Sequence, residues 1–329
     1  MATTNALSGG RQQQPESVVN TARNRRHANR APEAVVGNRA LRVLADKGYT
    51  VCKPLGSGAY GTVVQCTSDR DGDVAAKLIE LRDTGDAVSA VRESLLLMHA
   101  GNHPNVVGLL DAHYMRPDHT CRGAHVFLVM ELMWTNLNEL FEAEARRDAH
   151  GKTRQLTDAY QRRFARQLLA AVAHLHKLGI LHRDIKPANL LVNPDGLLKV
   201  ADLGLGRLAA APRSGASGGG GGTDGSMTSE VVTRYWRPPE LCAIHDGRGG
   251  RYDFAIDIWS CGCVIAQMLS PTPWQAFFRA DNDEGQLKAI VEKFPWKKGA
   301  PSNDELGFSD SAVRVRMSVS LPIGPNTVR

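Results

Sequence analysis

A single eight-residue stretch holds side chains suited to catalysed proton and group transfer. His182-Arg183-Asp184-Ile185-Lys186-Pro187-Ala188-Asn189 combines a carboxylate that can accept a proton, an ammonium that can neutralise phosphate charge and an amide that can bind a metal ion. The stretch follows Gly179 and leads into the apolar run Leu190 to Val192, as expected of a loop between two ordered elements. Of all the motifs in the chain, it indicates phosphoryl-transfer chemistry most strongly.

A second metal-binding oxygen is predicted further along the chain. Asp202-Leu203-Gly204 begins thirteen residues after Asn189 and directly follows another apolar strand. On its own this triplet would indicate only a polar turn. Its place after the first motif favours a metal-binding oxygen at Asp202 over that alternative.

A glycine-rich run precedes both motifs. Residues 55–63, L-G-S-G-A-Y-G-T-V, have the spacing G-x-G-x-x-G-x-V, and such glycines let backbone N–H groups approach phosphate oxygens. A dinucleotide-binding turn would need a helix after the glycines, whereas strands are predicted here. On this motif alone, a plain hairpin remains the alternative.

An apolar strand with a terminal lysine follows the glycines. Val74-Ala75-Ala76-Lys77 places Lys77 sixteen residues past Gly61. A buried ammonium needs a carboxylate partner, and Glu93 on the next predicted helix is available. The alternative is a surface lysine on an edge strand, which the neighbouring motifs disfavour.

The elements around these motifs predict a small sheet lobe followed by a helical lobe. From Tyr49 to Glu80, short β-branched runs separated by Gly and Asp-Gly indicate hairpins. Ala87 to Met98 indicates a helix and Val126 to Met130 a buried strand. A further helix begins at Asp158, carries apolar residues about every four positions and ends at Gly179. The predicted fold class is therefore α+β with two lobes.

Composition narrows the class of protein. The 329 residues suffice for about two domains, and no stretch approaches ~18 consecutive apolar residues, which argues against a membrane-spanning protein. Most of the net charge of +6 belongs to residues 1–48, a basic tail predicted to be disordered, so the charge does not indicate nucleic-acid binding. Six scattered cysteines predict a reducing compartment, the cytoplasm or the nucleus.

With these motifs in order, the chain resembles the eukaryotic protein kinases over roughly residues 49–290. Within them it is similar to the proline-directed group, which holds the cyclin-dependent kinases and the MAP kinases. That similarity rests on Ala90-Val91-Arg92-Glu93, on residues 131–137 (E-L-M-W-T-N-L) and on residues 228–237 (T-S-E-V-V-T-R-Y-W-R). The last segment is similar to both branches, and the branch stays open.

The resemblance implies a division of the chain. A disordered basic tail (1–48) would precede a kinase-like domain (49–290), made of an N-lobe and hinge (49–133) and a C-lobe (134–290) with a glycine-rich activation-loop insertion (209–227), and an irregular or disordered tail (291–329) would follow. After Asp257 the family needs more helical residues than this chain holds, among them an arginine that pairs with Glu240. The C-lobe is therefore expected to be truncated and to expose apolar side chains of one helix, namely Trp259, Val264, Ile265 and Leu269.

The resemblance also implies a role for each catalytic residue. The catalytic set would be Asp184, Lys186, Lys77, Glu93 and Thr233, with Asn189 and Asp202 as ligands of Mg²⁺. In that set Asp184 would accept the proton of the substrate hydroxyl and Lys186 would neutralise charge on the transferring phosphoryl group. Lys77, held by Glu93, would fix the α and β phosphates of ATP.

The implied nucleotide pocket lies between the lobes. Its ATP-binding residues would be Leu55, Gly56, Ser57, Gly58, Ala59, Tyr60, Gly61, Thr62, Val63, Ala75, Lys77, Met130, Glu131, Met133 and Leu191. Val63, Ala75 and Leu191 would sandwich adenine, and the backbone of Glu131 and Met133 would bond to the purine edge. A column formed by Leu97, Leu109, Leu203 and His182 would link the lobes.

Regulation is implied at two places. Thr228 would receive an activating phosphate, and Arg92, Arg183 and Arg207 would bind it. Ala59 stands where many cyclin-dependent kinases carry an inhibitory threonine, which leaves Tyr60 as the site for an inhibitory phosphate.

The resulting prediction is a protein serine/threonine kinase that uses ATP and Mg²⁺. Arg237 would help to hold the backbone of Val231-Val232 in a shape that favours Pro after the phosphorylated residue. Expected partners are protein substrates with Ser/Thr-Pro sites, an activating kinase for Thr228, and a cyclin-like or other activating protein, with no membrane or nucleic-acid partner. The alternative is a catalytically impaired, truncated kinase-like protein that acts as a binding or scaffold module.

Overall fold

The computed structural model describes residues 38–58, 61–117, 123–145, 156–209, 234–242 and 253–294. In these ranges an upper lobe is built on a five-stranded antiparallel sheet, and a mainly helical lower lobe follows. The elements of the upper lobe are α1 (Asn38–Asp46), β1 (Thr50–Gly58), β2 (Gly61–Ser68), β3 (Gly72–Leu81), α2 (Thr84–Ala100), β4 (Leu109–Met115) and β5 (Ala124–Glu131). The elements of the lower lobe are β6 (Thr135–Asn136), α3 (Leu137–Ala145), α4 (Asp158–Lys177), β7 (Ile180–Leu181), β8 (Leu190–Val192), β9 (Leu198–Val200), β10 (Arg207–Leu208), α5 (Pro239–Cys242), α6 (Ala255–Leu269) and α7 (Asp283–Lys293), with 3-10 turns at Pro187–Asn189 and Arg234–Trp236. The predicted α+β class is confirmed.

The sheet has strand order β1-β2-β3-β5-β4 and separates two cores. Alternate side chains of a strand point to opposite faces, so β3 serves both cores. Ala76 and Leu78 are buried on the outer face, against α1. Lys77 pairs with Val63 across β2, and Ala75 pairs with Met130 across β5, on the face toward the lower lobe. This register brings the lysine and the apolar pocket residues to one side.

The helix α1 corrects the predicted tail. Residues 38–46 were assigned to a segment predicted to be disordered because it has few bulky apolar residues and no sustained periodicity, yet they form a helix. Ala40 and Leu44, four positions apart, are buried in the outer core of the sheet, and Leu44 is 0% exposed. Arg39 donates to the carbonyl oxygen of Arg116 at 2.7 Å and fixes the start of the helix. Two apolar side chains one turn apart are thus enough to pack this helix on the sheet, while residues 1–37 lie outside the described ranges.

The helix α6 corrects part of the expected exposure in the lower lobe. Val264 is 0% exposed, and Trp259 stacks on Phe278 with ring centroids 6.0 Å apart. Leu269 is exposed as expected, at 60%. The expectation is wrong for Val264, which is buried, and Trp259 and Ile265 are only partly exposed, because these three side chains pack into the core of the lower lobe.

None of the helices in the described part of the chain is long and apolar enough to cross a membrane.

Candidate active site

Three charged side chains from distant parts of the chain meet in one cluster beneath the sheet. The ammonium of Lys77 on β3 donates to Glu93 Oε1 on α2 at 2.6 Å and to Asp202 Oδ1 at 2.9 Å. Lys77 is 7% exposed and Glu93 3%. The pairing predicted from sequence is therefore present, and the structure adds Asp202 as a second partner of the lysine.

Burial and ion pairing shift the pKa values of Lys77, Asp202 and Glu93 in opposite directions. Burial lowers the pKa of Lys77, but the carboxylates of Glu93 and Asp202 outweigh it and raise this pKa above its ordinary value. Burial raises the pKa of Asp202, but the neighbouring Lys77 ammonium outweighs it and holds this pKa below the usual range. For Glu93, burial keeps the pKa raised although Lys77 opposes it. Asp202 therefore carries an ionised carboxylate at neutral pH.

The loop between β7 and β8 fixes the predicted base. Asp184 Oδ2 accepts hydrogen bonds from Lys186 Nζ at 2.6 Å and from Asn189 Nδ2 at 3.0 Å. Asn189 Nδ2 also donates to the carbonyl oxygen of Asp184 at 2.8 Å. The carboxylate, the ammonium and the amide predicted to act together therefore lie within direct hydrogen-bonding distance.

Two residues at this site have left-handed backbone conformations. Arg183 has φ 70° and Asp202 has φ 67°, a region that residues other than glycine seldom occupy. Such strain persists where surrounding contacts hold it, often at functional sites. His182 provides one such contact, because its Nε2 lies 3.0 Å from the carbonyl oxygen of Ala201.

Asp257 at the start of α6 is a positioning residue for which sequence reasoning gave no role. Its carboxylate accepts from the backbone N–H of His182 at 2.9 Å and of Arg183 at 2.8 Å, and it lies 2.9 Å from His176 Nε2. Asp257 is 1% exposed. A carboxylate in an apolar helix is the one sequence signal that could have pointed to it.

The donor set fits a hard divalent cation. Asn189 Nδ2 is engaged by Asp184, which turns the amide oxygen of Asn189 away from that residue. The carboxylate of Asp202 is ionised, as shown by its lowered pKa. Oxygen ligands of this kind suit Mg²⁺, so Asn189 and Asp202 would hold it.

The apolar pocket residues gather beside the cluster. Met130, Met133 and Leu191 pack together with Val107 and Ala201. Ala75 is 8% exposed on the same face of the sheet as Lys77. The structure thus brings Met130, Met133 and Leu191 together and places Ala75 opposite Met130, whereas contact with adenine stays a prediction. Of the glycine-rich run, Ala59 and Tyr60 lie outside the described residues.

Gly61 has a role that the phosphate-binding hypothesis did not include. Its φ is +126°, and a Cβ at this position would overlap the carbonyl oxygen of Leu78 on β3. The residue is glycine because β2 passes close to the neighbouring strand. In the adjacent pair of the same hairpin, the hydroxyls of Ser57 on β1 and Thr62 on β2 lie 3.3 Å apart.

The predicted column between the lobes is only partly tested. Leu97 and Leu203 belong to one buried cluster, against which Leu109 packs. His182 is 0% exposed. The individual contacts along the column stay a prediction.

Two of the three regulatory arginines converge. Arg183 and Arg207 each direct a guanidinium nitrogen at the carbonyl oxygen of Leu205, at 3.3 and 3.5 Å. Arg92 is half-buried on α2, one turn beyond Ser89, whose hydroxyl donates to the carbonyl oxygen of Gly204. Thr228 and Thr233 lie outside the described residues, so their roles stay predictions.

An unpredicted ion pair fixes the segment before α5. Arg237 donates to both carboxylate oxygens of Asp283 on α7, each at 2.7 Å. Nearby, Glu240 has no ion-pair partner within the described ranges. Burial raises the pKa of Glu240, and the charge of Asp253 adds to the shift.

This fold and site define a two-lobed phosphotransferase, and comparison with known proteins identifies the family. The model of the protein kinase domain matches residues 49–313. The chain belongs to the protein kinase family. It is 34% identical over 285 residues to a MAP kinase homologue of Nicotiana tabacum, covering 86% of this chain and 68% of the relative.

Two further relatives are also mitogen-activated or extracellular signal-regulated protein kinases. The chain is 35% identical to mitogen-activated protein kinase 14 of Arabidopsis thaliana over 285 residues, covering 86% of this chain and 69% of that protein. It is 33% identical to extracellular signal-regulated kinase 1 of Dictyostelium discoideum over 261 residues, covering 78% of this chain and 43% of that protein. The chain is therefore MAP kinase-like.

Proposed function

We propose that this protein transfers the γ-phosphate of ATP to Ser or Thr residues of proteins. The observation that carries the proposal is the cluster of Lys77 with both Glu93 and Asp202, since it links the sheet, α2 and the metal-binding segment in one arrangement. Protein kinases need the lysine–glutamate pair and the metal-binding aspartate in place at the same time.

Each side chain then has a defined task. Asp184 accepts the proton of the substrate hydroxyl, and Lys186 faces the charge that develops during transfer. Lys77 binds the α and β phosphates in an orientation set by Glu93. Asn189 and Asp202 would hold Mg²⁺, which would supply positive charge to offset that of the phosphates.

Similarity to MAP kinases supports the predicted preference for Pro after the phosphorylated residue. We place the recognition of that proline next to Arg237, which Asp283 holds rigidly from α7. Proline has no backbone N–H, so a pocket that offers no acceptor at this position tolerates it without loss. The relatives are MAP kinases, and we therefore propose no cyclin partner.

The proposal is tested with a matched pair of peptides. We expect Mg²⁺-dependent transfer of labelled phosphate from ATP to a Ser-Pro peptide, with roughly tenfold lower kcat/KM for the Ser-Ala peptide, about the effect of 1.4 kcal/mol. Chelation of divalent cations should stop the transfer. No transfer to any protein or peptide would favour the alternative of a binding or scaffold module, and equal rates on the two peptides would refute the proline preference alone.

Activation is proposed to depend on Thr228. A phosphate there would add a charge of about −2, which Arg183 and Arg207 could bind together with Arg92. After treatment with a MAP kinase kinase, we expect wild-type activity to rise at least tenfold and that of Thr228→Ala to stay at the basal level. The Ser229→Ala variant serves as the control and should respond like wild type. If Thr228→Ala is activated as strongly as wild type, activation does not depend on phosphorylation of Thr228.

A further inference from the structure

Lys199 on β9 is a buried cation for which the chemistry above has no use. It is 9% exposed, and its Nζ donates to Glu131 Oε1 at 2.7 Å. The same oxygen accepts the backbone N–H of Gly108 at 2.6 Å. One carboxylate oxygen is therefore held by a donor from the lower lobe and by a donor from the connection between α2 and β4.

Glu131 lies at the connection between the two lobes, so its contact with Lys199 bears on that connection. Glu131 is the last residue of β5, where the chain leaves the sheet for the lower lobe. The backbone of Glu131 and Met133 is the segment assigned above to the purine edge. Since charge-assisted hydrogen bonds are about twice as strong as neutral ones, the anchored side chain resists rotation of the adjoining peptide.

The anchor on the other side is itself rigid. Lys199 lies opposite Leu191 of β8, so its stem shares a face with a predicted adenine contact. Val200 N donates to the carbonyl oxygen of Asn105 at 2.8 Å, and Val107 N donates to that of Val200 at 2.9 Å. The strand β9 therefore holds the ammonium in place relative to both lobes.

We propose that Lys199 is a positioning residue for nucleotide binding, acting through the Glu131 carboxylate on the backbone that contacts the purine. The inference rests on the proposed use of ATP and adds a residue to it. A preorganised backbone binds its ligand without the cost of ordering it first. Removal of the anchor should therefore weaken nucleotide affinity and leave the transfer step nearly unchanged.

The test compares Lys199→Met with wild type. We expect the dissociation constant of Mg·ADP, measured by calorimetry, and the KM for ATP to rise by about tenfold together. The kcat and the KM for peptide should stay within about twofold. Lys199→Arg keeps a donor and should remain near wild type, and Lys177→Met removes an exposed lysine of α4 as the matched control.

A double substitution separates coupling from general destabilisation. Because the two side chains act as a unit, Lys199→Met combined with Glu131→Gln should bind Mg·ADP no more weakly than Lys199→Met alone. If Lys199→Met does not fold, Glu131→Gln by itself provides the comparison and should weaken Mg·ADP binding by about threefold.

The outcomes distinguish this inference from the proposed function. Unchanged Mg·ADP affinity in folded Lys199→Met, or in Glu131→Gln where that variant replaces it, would overturn the inference alone. Wild-type protein that binds no Mg·ADP would overturn the proposed function and the inference with it.

Discussion

Replacement of Asp184 by Asn is expected to lower the turnover number by ~10²–10⁴ while Mg·ADP affinity stays within about twofold of wild type. Asparagine keeps an oxygen that can accept from Lys186 and Asn189, so the loop retains its shape. It cannot accept the proton of the substrate hydroxyl, because an amide is not a base at neutral pH.

The measurement is steady-state phosphorylation of the Ser-Pro peptide together with calorimetric Mg·ADP binding. Asp69→Asn makes the same chemical change at an exposed position between β2 and β3 and should leave both quantities unchanged. Turnover of Asp184→Asn within a few-fold of wild type would remove Asp184 from the role of base.

Asp257→Ala is expected to have the largest effect on stability. The substitution leaves the backbone N–H groups of His182 and Arg183 and the ring nitrogen of His176 without their acceptor. Each buried donor left unsatisfied costs about 1–3 kcal/mol, so the loss is at least about 3 kcal/mol. This is a large part of a folding margin of ~5–15 kcal/mol.

Thermal unfolding followed by circular dichroism checks this prediction. At roughly 2–4 °C per kcal/mol, Tm should fall by about 6–12 °C. Asp257→Asn keeps one acceptor oxygen, so its Tm should lie between those of wild type and Asp257→Ala. Asp281→Ala changes an exposed position and should have the Tm of wild type. A Tm of Asp257→Ala within about 2 °C of wild type would show that other contacts hold the loop.

The sequence predicted the parts of the site whose residues lie close together along the chain. The loop around Asp184 and the strand that ends near Lys77 each carry their residue types at short, recognisable spacings. The contact between Lys77 and Glu93 was predicted because a buried ammonium on an apolar strand needs a carboxylate, and Glu93 on the next predicted helix offers one. The α+β class followed from the short β-branched runs in the first part of the chain and from the apolar residues spaced about every four positions in the helix that begins at Asp158.

The remainder depends on contacts between residues far apart in sequence. Glu131 and Lys199 are separated by 68 positions, and neither has a neighbour in sequence that suggests the other. Arg237 and Asp283 likewise meet only because α7 packs beside the segment that contains Arg237. The left-handed backbone at Arg183 has no signature in residue type, because surrounding contacts impose it.

The helix α1 lies ahead of the residues that match the protein kinase domain. The family match begins at residue 49, whereas α1 begins at Asn38 and buries Leu44 against the outer face of the sheet. That face also holds Val64 and Phe127, both 0% exposed. Part of the upper core is thus completed by residues that lie ahead of the kinase-domain match. A related kinase without such a helix must shield the same apolar surface with another segment, or carry polar side chains there.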